Sequence, residues 1–191
     1  MSDGIIPALA ARRDEMTAWR RELHSFPETA FEEHRTSDFL AARLQEFGLE
    51  PHRGLAGTGL VATLHGRRGP GPAIGLRADI DALDITEATN LPWRSTTPGK
   101  MHACGHDGHM TMLLGAARHL ADDPDFAGTV HFIFQPAEEN EGGGKVMVEE
   151  GLFERFPMQA VYGLHHWPNA GFGRFLGRPG AQFPAFDHLA A

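Results

Sequence analysis

The 191-residue sequence carries 17 basic and 25 acidic side chains, a formal charge of -8, with 41% apolar and 22% charged residues. That composition supports one globular core and excludes disordered and fibrous chains, and the acidic balance lacks the basic footprint of a nucleic-acid binder. A lone cysteine, Cys104, excludes an intramolecular disulfide, and no apolar run approaches the ~18 residues of a membrane span, so a cytoplasmic protein with no membrane partner is expected.

Ile5, Leu9, Met16, Trp19 and Leu23 recur at helical spacing until Pro27, and Phe39, Leu40, Leu44 and Phe47 mark a second helix ending at Gly48. Leu60 to Leu64 and Ala73 to Leu76 read as strands, and the turn-rich Gly66 to Pro72 between them suggests a hairpin. A helix follows from His109 to Leu120, then a strand from Thr129 to Phe134. A short helix from Gly144 to Glu150 is closed by Gly151, and a last strand covers Ala160 to Leu164. Strands and helices alternate through the middle. The pattern predicts an α/β fold, a mostly parallel sheet with helices on both faces and functional groups at the carboxyl ends of the strands.

Four clusters stand at such places. His102-Ala103-Cys104-Gly105-His106-Asp107-Gly108-His109 brings thiol and imidazole together, and Gly105 lets Cys104 and His106 point the same way, which suits a zinc-like ion. A histidine-rich loop with Cys104 as a small buried residue is the plainer reading. Gln135-Pro136-Ala137-Glu138-Glu139 offers two carboxylates, one able to bind a metal and the other to exchange a proton; helix-start acids are the alternative. His165-His166 follows the last strand, and Asp79 and Asp81 follow an earlier one, where they could support a metal ligand or simply cap turns. Taken together, at the ends of four predicted strands of one sheet, the clusters favour a metallohydrolase.

The ordered segments Arg77 to Leu83, His102 to His109, Gln135 to Glu139 and Gly163 to Pro168 resemble the hippurate hydrolase and N-acyl-amino-acid amidohydrolase branch of the dinuclear metallopeptidases. The resemblance implies two divalent ions, zinc or manganese, with Cys104, His106, Glu139 and His165 as ligands. It also implies Glu138 as general base and Asp79 as the aspartate supporting the metals and the catalytic water. His102 and His109 are expected beside the ligands, and His166 is assigned no role. The implied substrate is a small N-acyl amino acid. Members of this branch are longer, with a lid and dimerisation domain followed by a return to the catalytic sheet that supplies another histidine ligand. Residues 1–177 are then expected to form the N-terminal part of the catalytic domain and residues 178–191 an incomplete start of the lid. A homodimer is expected only with that lid, and little hydrolysis is expected without it. Asp84 stands where relatives usually carry proline. Two other readings compete: a non-catalytic metal-binding or partner-binding remnant, and a cysteine hydrolase using Cys104, which would leave the acidic pair without a role.

Overall fold

The computed structural model describes residues 4–168, 171, 173–177 and 179–180. Arg178 and residues 181–191, which make up most of the expected lid start, lie outside the described residues. The chain opens with a short helix α1 (Pro7–Ala11) and then α2 (Arg13–Ser25), separated at Arg12, where the periodicity alone suggested one helix. α3 (His34–Glu46) leads into β1 (Pro51–Leu55), β2 (Gly59–His65) and β3 (Ala73–Asp79). α4 (His106–Asp122), β4 (Thr129–Gln135), α5 (Gly143–Glu149), α6 (Leu152–Arg155) and β5 (Ala160–Gly163) complete the described elements.

One five-stranded sheet runs in the order β1-β2-β4-β3-β5. β3 pairs in parallel with both β4 and β5, whereas β2 is antiparallel to β1 and β4. The parallel half carries the site, and the antiparallel half forms one edge. The expected hairpin between β2 and β3 is therefore wrong, because β4 inserts between them. Residues 66–72 are instead tied to the segment leading into β4, with Gly66 N–H donating to Gly128 O and Arg68 N–H to Phe126 O. β1 escapes the sequence pattern because Pro51-His52-Arg53-Gly54 is mostly polar, yet its partner β2 supplies the register.

Alternation along the strands divides the core. Leu60, Ala62, Phe132 and Phe134 face the larger cluster with Trp19, Leu23, Leu40, Leu44, Met110 and Leu114 from α2, α3 and α4. Val61 and Ile133, one residue out of phase, face the other way onto Met147 of α5 and Leu152 of α6. The period of two puts helices on both faces, as expected of this class. Burying a Leu or Phe side chain of this kind contributes roughly 1.5–3 kcal/mol. No helix among the described residues is long and apolar enough to cross a membrane.

Candidate metal centre

The carboxyl ends of β3 and β4 align, with Asp79 opposite Gln135, and β5 ends beside them with Gly163 opposite Arg77. Asp79 to Ala82, Gln135 to Glu139 and His165-His166 all leave the sheet at this edge. The fourth cluster does not come from a strand. Cys104 and His106 are delivered by the start of α4, which begins one turn earlier than the apolar pattern suggested, with Gly105 in a left-handed conformation at its N-cap. Gly105 has φ +91°, and a Cβ there would strike the His166 ring. Only glycine meets both demands, and it leaves His106 in the first helical turn, facing the strand ends.

The buried side of the site is tightly bonded. His106 Nδ1 lies 2.8 Å from the Asp81 carbonyl and 3.2 Å from Asp81 Oδ1, which makes it the protonated nitrogen and turns the Nε2 lone pair toward the cleft. Asp79 accepts from His109 Nδ1 at 2.7 Å and from Arg77 Nη1 at 2.8 Å. Burial raises the Asp79 carboxyl, but the His109 hydrogen bond and the charges of His106 and Arg77 outweigh it and hold it well below the carboxylate range. Burial likewise lowers His106, yet Asp81, Asp79 and Glu139 outweigh it and raise the imidazole. His109 Nε2 accepts from the His166 backbone N–H at 3.2 Å, so His109 and His166 are structural partners of this wall. His102 sits nearby with its ring 6.5 Å from that of His24, and burial depresses it to about 4.

The open side gathers Cys104, Glu138, Glu139 and His165. Cys104 Sγ lies 3.3 Å from His165 Nε2. Burial pushes the Cys104 thiol up to about 12, reinforced by Glu139, Asp79 and Glu138. Burial also raises Glu138, as does the charge of Asp79, partly offset by His106. Donor atoms of Cys104, His106 and His165 lie within 4.8 Å of one another, as do those of His106, Glu138 and Glu139 and those of Asp79, His106 and His109. His106 belongs to all three groups.

The chemistry of these atoms fits a divalent cation. Among the described residues, His106 Nε2 and Glu139 Oε1 are buried without a hydrogen-bond partner, and they face each other at 3.6 Å. That is too long for a hydrogen bond, but two ligands ~2.0–2.3 Å from a tetrahedral ion stand about 3.5 Å apart. The Cys104–His165 separation has the same size. Thiolate, imidazole and carboxylate together favour a zinc-like ion over magnesium.

Comparison with known proteins agrees with this geometry. The family model described as peptidase family M20/M25/M40 matches residues 75–176, more than half of the chain and all four clusters. The chain belongs to this family. It is 42% identical over 183 residues to the hippurate hydrolase of Campylobacter jejuni, covering 96% of this chain and 47% of that protein. It is also 42% identical to the N-acetyldiaminopimelate deacetylase of Oceanobacillus iheyensis, with 89% and 46% covered. A Bacillus subtilis structure described as a dinuclear metal-binding peptidase of the M20 family superposes with a TM-score of 0.79 at 40% identity, covering 84% of this chain and 45% of that one. This M20-family chain thus spans about half the length of the curated relatives it matches.

Two contributors are only weakly marked in the sequence. Arg77 reads as a strand residue, yet it bonds Asp79 and, through Nε, Gln135 Oε1 at 2.9 Å. Asp81 reads equally well as a turn cap, yet it holds His106 and also accepts the Glu139 N–H at 2.9 Å. A hint for both lies in the alternation Arg77-Ala78-Asp79-Ile80-Asp81, which puts three charged groups at the end of a buried strand where only bonded charges are tolerated.

Proposed function

We propose that this protein is a metal-dependent amidohydrolase that cleaves the amide bond of small N-acyl amino acids. Cys104, His106, Glu139 and His165 are the proposed ligands of a site for two divalent ions, zinc or manganese. The observation that carries the reading is the pair of buried, unbonded donors, His106 Nε2 and Glu139 Oε1, facing each other 3.6 Å apart beside Cys104 and Glu138. Family membership supports it, and two relatives are named for cleaving amides of this kind, one a hippurate hydrolase and one an N-acetyl deacetylase.

Ions bound there supply Lewis acidity, polarising the substrate carbonyl and offsetting the charge that develops on its oxygen. Glu138 does the proton work: its carboxylate, raised by burial and by Asp79, takes a proton from the attacking water and delivers it to the amine nitrogen as the C–N bond breaks. Asp79 stays ionised through Arg77 and His109 and so anchors His109 and the negative field behind His106. Asp81 fixes the His106 tautomer, which keeps Nε2 available as a donor atom.

Metal analysis of protein purified without chelator, paired with hydrolysis of hippurate and other N-acyl amino acids, tests the reading. Bound divalent metal is the expected result for this 191-residue chain, with little turnover by itself, and turnover that Glu138→Gln abolishes is expected of a chain that also carries the lid and the returning strand. Turnover that survives Glu138→Gln overturns the assignment of the base. Metal held by Cys104 and His106 with no turnover of any N-acyl amino acid even when the lid is present identifies a metal-binding polypeptide instead of a hydrolase.

A further inference from the structure

Glu33 stands 105 positions before Glu138, caps no helix with its side chain, and belongs to none of the motifs. It is nevertheless fully buried, at 0% exposure. A carboxylate so placed must be bonded on both oxygens, and it is: Oε2 accepts from Thr58 Oγ1 at 2.5 Å, in the turn between β1 and β2, and Oε1 accepts from the backbone N–H of Ala137 at 2.9 Å. Ala137 is one residue before Glu138 and has φ +51°, a left-handed conformation that an alanine adopts only when its surroundings impose it. Its carbonyl is also occupied, by the N–H of Gly143 at 2.9 Å. Two residues on, the N–H of Glu139 donates to Asp81 Oδ2 at 2.9 Å. Two buried carboxylates from different parts of the chain therefore grip the amides on either side of Glu138, while Glu138 itself stays exposed to the cleft.

We propose that Glu33 is a positioning residue for the reaction: with Asp81 it clamps the loop at Ala137 and Glu139 so that the Glu138 carboxylate is aimed before substrate arrives. The proposal rests on the reading of Glu138 as general base. Its chemistry explains the choice of residue. A carboxylate is a stronger acceptor for a backbone N–H than a hydroxyl or amide, and a second carboxylate, Asp81, holds the other side through the Glu139 N–H. Burial raises the Glu33 carboxyl, and its bonds to Thr58 and Ala137 offset only part of that rise.

Two measurements test the clamp, amide exchange on this metal-loaded chain and its variants, and hydrolysis by a chain that also carries the lid. Amide hydrogen exchange reads the loop without reference to catalysis: Glu33→Ala should accelerate exchange at Ala137 by about tenfold or more while the amides of β4 and α4 keep their protection, and Glu33→Gln, which can still accept from Ala137, should stay within about threefold of the wild type. In hydrolysis, Glu33→Ala should lower kcat by about tenfold with KM unchanged, and Glu33→Gln should restore most of it. If Glu33→Ala does not fold, Glu33→Asp carries the same test, because a side chain one methylene shorter cannot reach Thr58 and Ala137 together. Unchanged exchange at Ala137, or faster exchange spread evenly over the core, overturns the proposal. So does a loosened Ala137 with kcat intact where Glu138→Gln is inactive. Turnover that survives Glu138→Gln, with the Ala137 effect as expected, overturns the base assignment and leaves the clamp standing.

Discussion

On the sheet side of the site, Asp79, Asp81, His106 and His109 are each no more than 2% exposed and are bonded to one another or to Arg77. On the cleft side, Glu138 and His165 are exposed and Cys104 and Glu139 are half-buried, all four carried by loops or by the residues leading into a helix. The two sides divide the work. The buried side is set by the fold, since its charges are solvated by each other and have nowhere else to go. The open side carries the groups that meet ion, water and substrate. Changes on the open side should therefore cost function and little stability, and changes on the buried side should cost stability first.

Glu138→Gln gives the sharpest separation. Loss of a positioned base typically costs ~10²–10⁴-fold in rate. An exposed, isosteric change of this kind stays within about 0.5 kcal/mol in stability. Steady-state kinetics and urea unfolding on one preparation would show both, with metal content unchanged. Asp79→Ala tests the opposite side: it strands the buried His109 N–H and removes the carboxylate from the half-buried Arg77 guanidinium, which keeps its bond to Gln135, and breaking a buried charged network by removing one member costs about 3–5 kcal/mol. A loss under about 1 kcal/mol in urea unfolding would erase the distinction between the two sides.

Legibility in the sequence follows the same division. Cys104, His106, Glu138, Glu139 and His165 stand in short local patterns of metal-capable or acidic residues, so they can be singled out before any fold is known. The strands beneath them are equally visible, because Leu60 to Leu64 and Thr129 to Phe134 are apolar runs bounded by turn residues. The pairing is not. Whether β3 lies beside β2 or beside β4 depends on long-range register, and the Gly-Pro-rich turn between β2 and β3 looks the same in either case. The partners of the buried side are harder to read for a related reason: Glu33 has no local pattern at all, and Arg77 and Asp81 cannot be told from a strand residue and a turn cap until the fold brings a distant N–H, carboxylate or imidazole against them. The early start of α4 is hidden because its cap is a left-handed glycine, where a Ser, Thr or Asp would have advertised it.

Cys104→Ala should produce a much smaller effect than Asp79→Ala when read as stability and a clear one when read as metal content. The thiol is partly exposed, and a thiol is a weak hydrogen-bonding partner for His165. Removing it should move the metal-free protein by less than about 1 kcal/mol, within the range of surface changes. The same variant should retain less metal after dialysis against a weak chelator, measured by elemental analysis. Undiminished metal content would move Cys104 out of the proposed ligand set.

The smallest effect expected is a pH dependence on the buried side. His24 of α2 lies 2.9 Å from Asp107 Oδ2 through Nδ1 and 3.3 Å from Glu87 Oε1 through Nε2, and Arg20 and His102 are its other charged or titratable neighbours. The Asp107 hydrogen bond raises the imidazole above its ordinary value against the opposing effect of burial, with Glu87 adding to the rise. A base whose folded pKa is raised binds its proton more tightly folded than unfolded. The stabilisation is therefore fully present below the unfolded value of about 6.5 and is lost as pH rises through the higher folded value. Urea unfolding of the metal-free protein and of His24→Gln at about pH 6 and about pH 9 isolates this contribution, since the other histidines titrate in both proteins and cancel in the difference. The wild type should hold a larger advantage at the lower pH. An advantage equal at both would make His24 a neutral packing and hydrogen-bonding residue, and the α2–α4 contact that supports the first turn of α4 would then owe nothing to charge.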